Sequence, residues 1–391
     1  MRGGPTLREA DQRFRRLPDR PAPREGDAAE RAWRVVEAAY ADRPAAPARR
    51  RPVLRAALAA AVIAVGLAAV LTPAGAEVGD WIGDRLSSDT PTGRPAFAAL
   101  PRGGEVLAVG GTGAWVVHPD GALQRVGAFS EAGWSPRGLH VIGVRGRRLA
   151  AVTPTGTVKW TLWRRRPVHR PVWSLGAGFR VAYLEGEALR VVAGDGTGDR
   201  LVRRRATRVT PAWRPGRRHV LTYAGAAGSI ETVDVDTRRR VWARRAADPV
   251  TGLAWSRRGE RLVALTAGGL TVYGRGGRRL FAVRLSGPRA LALHPSGRRA
   301  AVTVERRGGT QVLAVRLAPA GRSRLLDGGP GRVRGMAWSP DGRRLLVAWA
   351  DADQWVLLGP GRRVRPIPDV SGELGAGAGF PRVAGWCCPG R

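Results

Sequence analysis

Five histidines (His118, His140, His169, His219 and His294), two cysteines and 31 acidic residues are the groups in this 391-residue chain able to bind a metal, move a proton or act as nucleophiles. Their spacing supports none of these roles. The histidines fall at no metal-ligand separation, and no Gly-x-Ser-x-Gly nucleophile elbow is present. "GDGTG" (194–198) has no helix after it and reads as a hairpin turn, not a phosphate loop. "DVDT" (234–237) is too short for a calcium loop. Cys387 and Cys388 are adjacent, with Cα atoms about 3.8 Å apart across a trans peptide. That is below the roughly 4.4 Å at which disulfides usually begin, so a vicinal bridge is open but strained, two adjacent thiols alone make no metal site, and the favoured reading is small buried residues on the closing strand. No catalytic residue, metal ligand or cofactor site is assigned.

The elements that must position these residues are repeated. "AWSPDGRRLLVAW" (337–349) has counterparts in "GWSPRGLHVIGV" (133–144), "VWSLGAGFRVAYL" (172–184), "AWRPGRRHVLTY" (212–223), "AWSRRGERLVAL" (254–265) and "ALHPSGRRAAVTV" (292–304). Taking Trp134, Trp173, Trp213, Trp255, His294 and Trp338 as anchors, the spacing is 39 to 44 residues. Each copy is a short apolar run ending at the anchor, a turn built on Pro and Gly, and a second apolar run. A second hairpin follows about ten residues later, as in "AVTPTGTVKW" (151–160) and "TVYGRGGRRLFAV" (271–283). Four short antiparallel strands per period near 40 predict the blade of a β-propeller. The first blade is incomplete: 105–127 supplies three strands, and the candidate inner strand from Phe97 lacks an anchor. The last segment, 382–391, is one strand with an anchor, Trp386, and nothing after it. The two fragments complement each other, which predicts an all-β ring of seven four-stranded blades closed by the C-terminal strand. Closure removes the edges that would otherwise pair with other chains.

The "WSPDGRRLLV" element resembles the WD40-like repeat of TolB-type propellers. The resemblance covers 97–391 and implies the fold, not an activity. Only Trp338 is followed by the full Ser-Pro-Asp-Gly turn.

Residues 1–52 are rich in Pro, Arg and Ala, too poor in apolar surface to fold alone, and read as a cytoplasmic arm. One helix is expected at 27–43, where Asp27 is a suitable N-cap and Trp33, Val36 and Tyr40 share a face as a candidate partner-binding stripe. Ala56 to Ala76 is free of charge for 21 residues, enough for a helix to cross a bilayer core of roughly 30 Å. Arg43, Arg49, Arg50, Arg51 and Arg55 precede it, and only Arg85 and Arg94 follow at similar distance. The positive-inside bias then places the propeller outside the cytoplasm. The domain reading is a transmembrane helix at 53–76, a short helix and linker at 77–96, and the propeller at 97–391. "AGA" (74–76) keeps open the alternative of a cleaved signal peptide and a released propeller.

A net charge of +35, nearly all of it arginine, suggests nucleic acid. The charge is spread along the chain, however, and no nucleic-acid-binding motif accompanies it, so nucleic acid is disfavoured. The runs "WRRRP" (163–167), "LVRRRATR" (201–208) and "TRRRVWARR" (237–245) fall at the third and fourth strands, where charge protects an outer edge. Anionic lipid or wall polymer is a second role for them. The expected function is a membrane-anchored, extracytoplasmic scaffold for a ligand or protein partner, with the N-terminal helix signalling to a cytoplasmic partner. The alternative is an enzyme whose active site gathers in the central funnel. Carboxylates or histidines converging there would favour catalysis; arginines would favour an anionic ligand.

Overall fold

A computed structural model describes residues 96–388 apart from 102, 177, 217 and 375–378. Trp33, Val36, Tyr40 and the span 56–76 lie outside the described residues. Among those described, no helix is long and apolar enough to cross a membrane.

The described chain forms seven four-stranded antiparallel sheets, the blades of a β-propeller. Counting from the N-terminal side, the inner strands of blades 2 to 7 are Glu131–Trp134, Val168–Trp173, Ala212–Arg214, Val250–Trp255, Pro288–Leu293 and Val333–Trp338. Blade 1 takes its inner strand from the far end of the chain: Arg382–Cys387 pairs antiparallel with Glu105–Gly110, with Trp386 opposite Val106. The ring therefore closes as expected.

Closure is also visible in the packing. Each of the core clusters joins two successive blades, and together they cover every junction, including that of blade 7 with blade 1. Strand periodicity explains how. In Leu345–Trp349, Leu345, Val347 and Trp349 pack toward blade 6, and Leu346 and Ala348 toward blade 1. Alternate side chains leave a strand on opposite faces. A strand covered on both faces must be apolar at every position, and all five residues are buried. The outer strands, such as Arg239–Arg245, are largely exposed.

Four sequence readings are corrected. Phe97 does not begin an inner strand: Ala96–Ala99 is a 3-10 turn, and Phe97 packs against Trp355 with ring centroids 5.1 Å apart. The inner position is already taken by the C-terminal strand, so Phe97 fills the junction of blades 7 and 1 instead. His294 is not the anchor of blade 6. That inner strand ends at Leu293, which pairs with Ala300 as Trp338 pairs with Leu345. His294 takes the place of Ser339, one residue on. Cys387 and Cys388 are half-buried and bonded to each other as a vicinal disulfide. They occupy the two positions after the anchor, those of Ser339 and Pro340 in blade 7, and pack on Gly138 of blade 2. The arginine runs lie on the fourth strands and the connections beside them, not on the third.

Candidate functional site

Antiparallel alternation gives the channel two distinct rims. Inner strands begin at one, the start rim, and turn back at the other, the turn rim. Each rim is built from short segments repeated once per blade.

The turn rim rests on the residue after the anchor. Ser135, Ser174, Ser256 and Ser339 each accept, through Oγ, the backbone N–H of a residue at or just before the start of the second strand: His140, Arg180, Arg261 and Arg344, at 2.8–3.1 Å. A short hydroxyl side chain suits this local bond. His294 substitutes for it differently. Its Nδ1 accepts the Ser296 N–H at 3.0 Å, which leaves Nε2–H to donate to Gly342 O of blade 7 at 2.9 Å. Burial holds its pKa below the ordinary histidine value. Gly342 sits at φ +71°, and a Cβ there would lie 2.6 Å from His294 Nε2. Gly297 likewise sits at φ +65°, where a Cβ would lie 2.8 Å from Ser256 Cβ of blade 5. The turn glycine thus does two things: it supplies a left-handed backbone and lets one blade close on the next.

The anchors tie blades together at the same level. Trp213 Nε1 donates to Val172 O at 3.1 Å and Trp338 Nε1 to Ala292 O at 3.0 Å, in each case one blade back. Trp255 Nε1 donates to Thr222 Oγ1 at 3.0 Å. Trp134, Trp173 and Trp386 pack without an Nε1 partner among the described residues.

Between the turns of blades 5 and 6 lies a cleft of about 680 Å³ bordered by Arg257, Arg258, Glu260, Arg261 and Arg298. A smaller one of about 250 Å³ lies at the blade 7 turn, beside Asp341 and Arg343. Asp341 accepts from Ser339 Oγ and the Arg343 N–H, and these bonds hold its carboxyl below the usual range.

At the start rim, the position four residues before the anchor is Arg289 in blade 6, Arg334 in blade 7 and Arg382 in blade 1. Arg289 pairs with Glu305. Arg334 is exposed and makes no ion pair or hydrogen bond through its side chain with the described residues. Arg382 donates to Ser130 O at 3.4 Å; burial pulls its pKa down, and Glu131 opposes that while Arg170 adds to it. Glu131 is the carboxylate between them. It accepts the Arg170 N–H at 2.7 Å and lies 3.3 Å from His169 Nδ1. Arg170 sits at φ +53° in a bulge of its strand, an uncommon conformation for a residue with a side chain. The Glu131 bond helps hold that bulge, and the Arg170 side chain donates through Nε to Arg208 O at 3.2 Å.

The remaining histidines are separated by the ring. His118 pairs with Glu105, His140 packs on Trp173, and His219 binds Asp236. Burial works to raise Asp236, but hydrogen bonds from His219 and Arg200 outweigh it and hold its carboxyl low. Among the described residues, no group of three His, Cys, Asp or Glu side chains could hold a metal ion.

Sequence reasoning missed the start-rim arginines. With His294 as anchor, Arg289 stood five places back and out of register with Arg334 and Arg382. With Leu293 as anchor, the three align in sequence; in the strands, Arg289 and Arg334 are bulged residues and Arg382 pairs with Val109.

No protein-family model and no curated protein sequence matches this chain. Solved structures match it in fold. A β-propeller domain of Cps50 (Swd1) from Myceliophteria thermophila is 14% identical, with a TM-score of 0.50, over 61% of this chain and 86% of its own. A chain of a mitotic checkpoint complex is 16% identical, with a TM-score of 0.51, over 65% and 79%. A Bacteroides uniformis protein provisionally assigned as a 6-phosphogluconolactonase is 15% identical, with a TM-score of 0.52, over 74% and 99%. At such identities the likeness is one of fold alone, and one fold serves proteins as different as these.

Proposed function

We propose that the chain is a binding module, not an enzyme, and that its start rim docks an acidic segment of a protein partner. The observation that carries this is the run of Arg289, Arg334 and Arg382, each four residues before the last residue of the inner strand or its anchor, on three consecutive blades. Guanidinium groups recognise carboxylates through paired N–H donors. Glu131 is already engaged by Arg170 and His169, which supports a positioning role for it over a proton-transfer role. Propellers that work as parts of protein assemblies are in keeping with this reading.

The wider setting rests on sequence. The uncharged stretch 56–76 and the arginines before it support a single-pass anchor with the propeller outside the cytoplasm. The stripe of Trp33, Val36 and Tyr40 supports a cytoplasmic protein contact. An isolated helix of that length is marginal in water and needs a partner surface.

The test is a photocrosslinker at position 334 in intact cells. A protein adduct lost in the Arg289→Glu, Arg382→Glu double variant supports docking at this rim. An adduct indifferent to both reversals overturns it. A reporter active only outside the cytoplasm, fused after Arg391, should be active, and one fused at Arg24 silent; the reverse pattern overturns the anchor orientation.

A further inference from the structure

The cleft at the turns of blades 5 and 6 lies at the opposite rim from the docking site above and does not depend on that reading. The repeated turn places Asp341 in blade 7 directly before the turn glycine, Gly342, where the carboxylate caps its own turn. The same position holds Arg258 in blade 5 and Ser296 in blade 6. The blade 5 turn forms regardless: Ser256 Oγ accepts the Arg261 N–H, and the Gly259 N–H donates to Ser256 O at 2.7 Å. Turn formation therefore does not explain Arg258.

Four guanidinium groups, Arg257, Arg258, Arg261 and Arg298, border this one cleft against a single carboxylate, Glu260. The side chains of Arg257, Arg258 and Arg298 are exposed and make no ion pair or hydrogen bond with the described residues. Arg261 is fixed differently: its Nη1 donates to Leu317 O at 3.1 Å. Beside the cleft, Arg214 is half-buried and lies over the Trp255 ring at 6.0 Å. Burial and the neighbouring Arg275 both hold its pKa down, with Glu260 opposing them. Positive charge is thus concentrated here with little internal compensation, and an anion would relieve the repulsion. The two walls are also held in register, since Gly297 is in close contact with Ser256.

We infer that this cleft binds a phosphate-class oxyanion carried on a small organic body. Guanidinium forks match phosphate oxygens in pairs. At about 680 Å³ the cleft is far larger than a bare phosphate ion and falls within the range of small-molecule sites, roughly 300–1,000 Å³. Such a group occurs on soluble phosphomonoesters and on lipid headgroups.

The test is calorimetric titration of the full chain in detergent with glucose 6-phosphate, with glucose, and with dihexanoyl phosphatidylglycerol. At least one phosphate probe should bind while glucose does not. Arg258→Ala and Arg298→Ala should each weaken binding by about tenfold, and Arg258→Lys by less, since it keeps the charge and loses the fork. Tighter binding of glucose 6-phosphate assigns the site to soluble ligands, and tighter binding of the short lipid assigns it to headgroups. Arg165→Ala with Arg166→Ala, an exposed pair at the other end of the blades, should change nothing. Equal weakening by that pair, or no binding of either phosphate probe, overturns the inference. All the replaced side chains are exposed apart from their backbone bonds, and matching thermal melts establish that the variants are folded.

Discussion

Removal of the closing strand tests the architecture most directly. Deleting residues 382–391 takes away the partner of Glu105–Gly110 and two buried side chains, Val383 at 5% and Trp386 at 9% exposure. Truncating a buried tryptophan costs about 3–5 kcal/mol, and burial of a valine contributes roughly another 1.5 kcal/mol. The loss is of the same order as the whole stability of a typical domain, about 5–15 kcal/mol. It also leaves the Glu105–Gly110 strand with an open inner edge. Trp386→Ala isolates the packing part, because its Nε1 has no hydrogen-bond partner among the described residues and no polar bond is lost. In urea unfolding followed by circular dichroism, Trp386→Ala should lose about 3–5 kcal/mol. The deletion should be cleaved throughout the propeller under limited proteolysis, because every blade leans on the next. A deletion variant that melts within a degree of the intact chain would refute closure as the source of stability.

Other outcomes follow from the turn rim. Gly342→Ala should destabilise by at least about 1 kcal/mol from its positive φ alone, and more from the clash with His294; that extra cost should shrink in a His294→Ser background, and equal costs in both would count against the contact. Burial holds the pKa of His294 and of His140 below the ordinary value, and Lys159 adds to the effect on His140. The native state therefore favours the neutral rings, and the unfolded chain takes up protons first. Their contribution is complete above about pH 6.5 and is lost as pH falls toward the folded values. Melting temperature should drop between pH 7.5 and 5.5, and drop less in His294→Ser; identical slopes would exclude His294 as a cause. Trp213→Phe should cost about 1 kcal/mol more than Trp134→Phe in chemical denaturation, since only Trp213 loses an inter-blade hydrogen bond.

The repeat of anchor, turn and strand was enough to read strand type, blade number and closure from the chain alone. Those features follow from local chemistry: period-two burial, Pro and Gly at turns, and a count of fragments that must add up to whole blades. What lay beyond reach were relations between blades, which are set by side chains some 40 residues apart meeting across a junction. His294 and Leu293 are neighbours in sequence, and only pairing with Ala300 decides which ends the strand. Phe97 begins an apolar run like any inner strand, yet its place was already filled by Arg382–Cys387 from the far end. Cys387 and Cys388 read as small packing residues until the closing strand set them against Gly138 of the next blade, bonded to each other. The arginines show the same division most clearly. Their abundance is plain in the composition, but spread along a sequence it is only net charge. The ring brings Arg289, Arg334 and Arg382 to one rim and Arg257, Arg258 and Arg298 to one cleft, because closure sets the same ends of successive blades side by side.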